Sequence, residues 1–155
     1  MDNTQFFVFK LKTGETIFAE LTSLSEKSIT IRKPLLITEN MVSTEGSLLA
    51  QQWLPYIEDD SNVPVPLSMI YLFEPLAQKY IRFYGSVLMQ SEITRIKEAA
   101  VADSEEDDKI DYYDMMEAVQ KINELSEYMS AKFGIDRVDT SGFMDAAENN
   151  KPVVH

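Results

Sequence analysis

Residues 10–31, KLKTGETIFAELTSLSEKSITI, constrain the fold more than any other stretch of the chain. Phe7, Phe9 and Leu11 alternate with Val8, Lys10 and Lys12 on one side of Gly14. Ile17, Ala19 and Leu21 alternate with polar residues and Phe18 on the other side. A period of two is the signature of a half-buried strand. The polar connection Ser25-Glu26-Lys27-Ser28 then leads into Ile29 and Ile31, which alternate with Thr30 and Arg32. Three short strands joined by tight turns predict a strongly bent antiparallel meander. Pro34 has no N–H to give to a ladder and predicts a break in the third strand.

The stretch 39–66 is looser, with TEGS, EDDSN and prolines at 55, 64 and 66. Within it, LLAQQWLPYI reads either as a strand or as a packed loop. Trp53 reads as a loop anchor, with an exposed recognition aromatic as the alternative. SMIYLFEPL and KYIRFYGSVL each read as a further strand, separated at Glu74-Pro75. The total is five or six strands in about ninety residues, short enough to need closure or pairing at their edges.

After Gly85 the period changes. Ser91 opens a short helical pattern with Ile93, Ile96 and Ala100. A longer one follows an acidic start, where Ser104 and Asp107 have the spacing of a capping box. Its stripe is Tyr112, Met115, Met116, Val119, Ile122, Leu125, Met129 and Phe133. Lys132 and Gly134 mark its C-terminus. The expected organisation is a β domain over 1–90, an acidic helical extension over 91–137 and a flexible tail over 138–155.

Charge and composition narrow the chemistry. Of the net charge of −12, residues 1–90 carry −3 (7 basic against 10 acidic) and residues 91–155 carry −9 (7 against 16). The second part is therefore repelled by phosphate backbones. There is no cysteine, which removes disulfides, thiolate zinc sites and a cysteine nucleophile. No membrane span or signal peptide is predicted, and the expected location is cytoplasmic, or the host cytoplasm for a viral chain. The one histidine is His155, a poor place for a general base, and no nucleophile elbow or phosphate loop occurs. The run DSEEDDKID lacks the glycine and spacing of a calcium loop. No enzyme activity, cofactor or metal is expected.

FVFKLKTGETIFAELTSLSEKSITI resembles the first motif of Sm-like proteins, the group that includes bacterial Hfq and the eukaryotic LSm proteins. Gly14 matches the turn glycine, and Ala19 stands where the family has its second small residue. The long loop before the fourth strand makes the chain most similar to divergent Sm-like proteins of cyanophage origin. The resemblance implies a small, strongly bent five-stranded antiparallel barrel, followed here by C-terminal helices. It also implies a non-enzymatic protein whose copies join edge to edge in a ring of about five to seven subunits. Such rings bind RNA through two inter-strand turns. Those turns fall here on Ser25 and Ser28 and on Glu74-Pro75, which differ from the family's base-reading residues. The expected RNA contacts are Lys27, Ser28, Arg32, Lys79 and Arg82, with Tyr80 as a stacking ring. The competing expectation is a structural or adaptor protein, virion-associated or regulatory, that has lost RNA recognition. The acidic C-terminal helix would then meet a protein partner.

Overall fold

A computed structural model describes residues 5–39, 47–58, 60–102 and 112–140. The chain divides into two compact units, residues 1–84 and 85–155. The first is mainly antiparallel β-sheet. Its strands are β1 (Gln5–Leu11), β2 (Thr16–Leu24), β3 (Ser28–Glu39), β4 (Leu48–Gln52), β5 (Asn62–Pro66) and β6 (Ile70–Pro75), with a 3-10 turn at Leu67–Met69. Helix α1 (Gln78–Ala102) begins in this unit, and α2 (Tyr112–Phe133) belongs to the second.

The meander forms as expected. Gly14 closes the β1–β2 turn at φ +98°, donating its N–H to the Leu11 carbonyl at 2.9 Å. A positive φ costs glycine little, which is why the turn needs one. Phe7, Phe9, Leu11, Ile17, Ala19, Ile29, Ile31 and Val65 form one buried cluster, with Trp53, Val63, Leu67 and Ile70 packed against it. The alternation thus places one face of β1, β2 and the first half of β3 in the core. Burying each of the larger members removes enough apolar area to contribute about 1.5–3 kcal/mol.

The sheet order is β4-β3-β2-β1-β6, with β5 also on β3. Strand β3 changes partner partway: Ser28–Arg32 pairs with β5, and Leu35–Glu39 pairs with β4. Among the described residues no pairing joins β5 to β6, so the ladder is open. Side chains from both strands nonetheless meet in the one cluster, and the sheet therefore curls around it.

Three sequence expectations change. Strand β3 runs through Pro34 rather than ending there. Between the pairs Phe18↔Leu35 and Glu20↔Arg32, β3 holds one more residue than β2. This bulge takes up Lys33, at φ +51°, and Pro34, so the missing proline donor falls where the ladder is already broken. The loose stretch contains β5, NVPVP, whose prolines hid it; proline is tolerated on an edge strand. KYIRFYGSVL is helical, not extended. Tyr80 and Tyr84 satisfy both a period of two and a helical i, i+4 spacing, and the aromatic contacts of Phe18 with Tyr80 and Phe83 select the helix.

In the second unit α1 and α2 run antiparallel. Gly85 lies against Phe133, while Arg95, Ile96, Ala99 and Ala100 share a groove with Glu117, Ala118 and Lys121. Val119, Ile122, Ser126, Met129 and Phe133 are the buried seam of α2. The helix ends as the sequence indicates: Gly134 has φ +69° and donates to the Ser130 carbonyl at 2.9 Å, and Ile135 is buried. The segment after it turns back along α2. Val138 N–H donates to Ser126 Oγ at 2.7 Å, and Thr140 Oγ1 donates to Asn123 Oδ1 at 3.0 Å. The proposed cap at Ser104 and Asp107, the run DSEEDDKID and His155 lie outside the described residues.

A Cβ on Gly85 would stand 2.4 Å from Phe133 Cγ. Alanine normally strengthens a helix by up to about 1 kcal/mol over glycine. Gly85→Ala is expected to destabilise instead, by roughly 1–3 kcal/mol, because the ring must move. Thermal denaturation followed by helix ellipticity checks this, and adding Phe133→Leu should recover part of the loss.

Candidate interaction surface

The expected RNA contacts fall into two groups. Lys27, Ser28 and Arg32 lie on the β2–β3 hairpin, and Lys79, Tyr80 and Arg82 lie in the first turns of α1. In the hairpin turn Ser25 N–H donates to the Ser28 carbonyl at 2.9 Å, and Ser28 N–H donates to Ser25 Oγ at 3.1 Å. The two hydroxyls are 3.2 Å apart. The serines therefore close the turn on itself, while Glu26 and Lys27 point to solvent.

Arg32 is held by its own sheet. Its Nη2 and Nε donate to Glu20 Oε2 at 2.7 and 3.0 Å, and the Glu20 side chain is 0% exposed. The hydrogen bond and charge of Glu20 raise the Arg32 pKa above its ordinary value. Beside this pair Tyr84 Oη donates to the Lys33 carbonyl at 2.8 Å. Burial, and then the Glu20 charge, push the Tyr84 hydroxyl well above its usual 10.0. One buried polar cluster thus sits under the bulge of β3. Sequence reasoning did not single out Glu20, yet the hairpin register that pairs it with Arg32 was the available signal.

Tyr80 is half-buried. Its ring centroid is 5.9 Å from that of Phe18, and Lys79 Nζ sits 4.7 Å from the Tyr80 centroid. One face of this ring is therefore committed to the protein. Arg82 is exposed, as are Lys10 on β1 and Lys12 in the turn after it. Trp53 is an anchor: Nε1 donates to Glu15 Oε2 at 2.6 Å and the ring packs on the core. Gly14 and Ala19 hold structural places, Ala19 with no exposed surface.

The most distinctive surface is the edge strand β6. Among the described residues it pairs only with β1, and the short stretch including it exposes Met69, Tyr71 (76%), Leu72 (45%) and Phe73. Phe73 stacks on Phe9 with 6.0 Å between centroids and a 21° interplanar angle, which fixes the strand while leaving its rim outward. An exposed apolar edge is a template for pairing with another chain. The stretch SMIYLF carries this feature as the sequence indicates.

The second unit offers a different face. Glu117, Gln120, Asn123, Glu124 and Glu127 share one shallow surface of α2. Among the described residues no three His, Cys, Asp or Glu side chains gather as metal ligands, and no helix is long and apolar enough to cross a membrane.

Two outcomes follow from the buried cluster. Arg32→Met strands the fully buried Glu20 carboxylate and is expected to cost about 3 kcal/mol. Glu20→Gln is milder, because Arg32 is partly exposed and can turn to water; paired denaturant titrations compare the two. Tyr84 keeps its proton in the folded state above pH 10, where the unfolded tyrosine loses it. Its contribution is complete below that pH and falls as pH rises beyond it. Tyr84→Phe should flatten the alkaline slope of stability, measured by urea midpoints between pH 9 and 11.

Neither a family model nor a curated protein matches this sequence.

Proposed function

We propose that residues 1–84 form a non-catalytic Sm-like module that self-associates through its sheet edge and serves as a structural or adaptor element. The observation that carries this reading is the apolar strand β6, which among the described residues is paired on one side. The bent meander with its glycine turn supports the Sm-like assignment, and the curl of the sheet around one cluster is compatible with a small barrel. The engagement of Arg32 by Glu20, of Ser25 by Ser28 and of Tyr80 by Phe18 favours an adaptor over a base-reading protein.

RNA binding is the second reading, supported by the exposed Lys10, Lys12, Lys27 and Arg82 in the nearly neutral first part of the chain. Contacts of this kind would be to phosphate and would depend strongly on salt.

Light scattering across a micromolar concentration series tests the first reading: a mass above one chain is expected, and a strict monomer would sink it. A salt series with single-stranded RNA tests the second. If binding occurs near 50 mM salt, Lys27→Ala should reduce the salt slope by about one. Arg32→Ala is unsuitable for this purpose, since its loss disturbs the fold.

A further inference from the structure

We propose that two copies of the chain pair through β6, antiparallel to one another, about a two-fold axis at Phe73. The inference rests on the self-association proposed above and specifies its geometry.

The main-chain hydrogen bonds distinguish the edges. Leu76 N–H donates to the Phe6 carbonyl at 2.9 Å, so Phe6 and Leu76 are a hydrogen-bonded pair. Antiparallel pairs alternate. With Phe7 opposite Pro75 and Phe9 opposite Phe73, the main-chain groups of Phe73 and Pro75 therefore point away from β1. On the far side of the sheet, Leu67 N–H donates to the Lys27 carbonyl at 2.9 Å. The same alternation turns Val65 inward and leaves Pro64 and Pro66 facing out. The outer rim of β5 thus has no N–H at two of its three outward positions.

A head-to-tail contact of β5 with β6 would leave the Phe73 carbonyl opposite a proline. A β6–β6 contact centred on Phe73 keeps that carbonyl on a donor, and the rim of β6 lacks an N–H at Pro75 alone, against two such positions on β5. Centred on Phe73, the two copies exchange both bonds between their Phe73 residues, before the register shift of β6 at Tyr71 interrupts the alternation. Strand β4 is also an edge, but Leu49 is its one exposed large apolar side chain, against four in and beside β6.

Charge agrees with this register. Lys10 pairs with Leu72, and Val8 with Glu74, across β1 and β6. In the two-fold pair Glu74 lies opposite Leu72 of the second copy, and Lys10 of that copy stands one strand further, about 9.5 Å away between main chains. Extended lysine and glutamate side chains together cover that gap. The two Glu74 residues occupy different cross-strand rows, so like charges do not meet. The contact is smaller than the roughly 1,200 Å² of a stable complex, and the dimer is expected to be concentration-dependent.

The absence of native cysteine makes the test direct. Opposed non-hydrogen-bonded residues such as Leu72 and Glu74 of the other copy lie about 4.5 Å apart at Cα, within disulfide range. Both are exposed, so Leu72→Cys and Glu74→Cys leave the fold intact. The expected result is a disulfide-linked pair when the two variants of the full chain are mixed and oxidised, at least fivefold above either variant alone. A cross-link of equal strength in Leu72→Cys alone would overturn the register. Oligomeric mass by light scattering without a mixed cross-link would overturn β6–β6 pairing and leave self-association standing. Cross-linking of Pro64→Cys with Leu72→Cys would establish the head-to-tail contact in its place. Monomeric mass at all concentrations would overturn both.

Discussion

The bulge of β3 at Lys33 and Pro34 is the constraint around which the first unit is organised. One extra residue there bends the strand, and the bend lets it serve β5 with one half and β4 with the other. A bulge frees main-chain groups that must find partners. Tyr84 takes the Lys33 carbonyl and the Trp53 main-chain N–H reaches the Pro34 carbonyl at 3.3 Å, while beside them the Arg32 side chain donates to Glu20. The first turns of α1 are thereby tied to the strand at its weakest point. A buried ion pair contributes little net stability against apolar residues of the same volume. Here it specifies which residue of β3 faces which residue of β2.

The same geometry explains why cationic residues are a poor guide to function in this chain. Arg32 looks like a phosphate contact when read along the strand, yet its geometry is that of a structural clamp. Tyr80 looks like a stacking platform, yet it rests on Phe18. The residues with surface to offer are the apolar ones of β6, whose exposure runs against the usual economy of a sheet edge. On β5 the opposite device operates, since Pro64 and Pro66 remove the donors a neighbouring strand would need.

Much of the architecture was legible from local pattern. Phe7, Phe9 and Leu11, then Ile17 and Ala19, then Ile29 and Ile31 are a clean period-two signal, and each is buried. The C-terminus of α2 followed from Lys132, Gly134 and Ile135, because a glycine cap is a local event. What escaped was set by distant contacts. Residues 79–88 carry aromatic spacing compatible with two periods, and only packing on Phe18 decides between them. β5 was concealed by its prolines, whose acceptability depends on lying at an edge. The pairing of Glu20 with Arg32 required the hairpin register, and a second irregularity nearer the turn, between Leu21 and Ser23, shifts that register by one residue.

The return of the chain after Gly134 bears on how a two-helix unit sustains itself. Two antiparallel helices enclose only a thin seam, and one flank of α2 would stay wet. Residues 135–140 close that flank as a third wall, with Ile135 buried and Val138 hydrogen-bonded to the otherwise apolar seam at Ser126. Ser126 is thus a mooring point for the extended chain rather than a flaw in the helix stripe. The cooperative unit accordingly extends past the last helical residue, and a domain boundary drawn at Phe133 would cut through its hydrophobic interior.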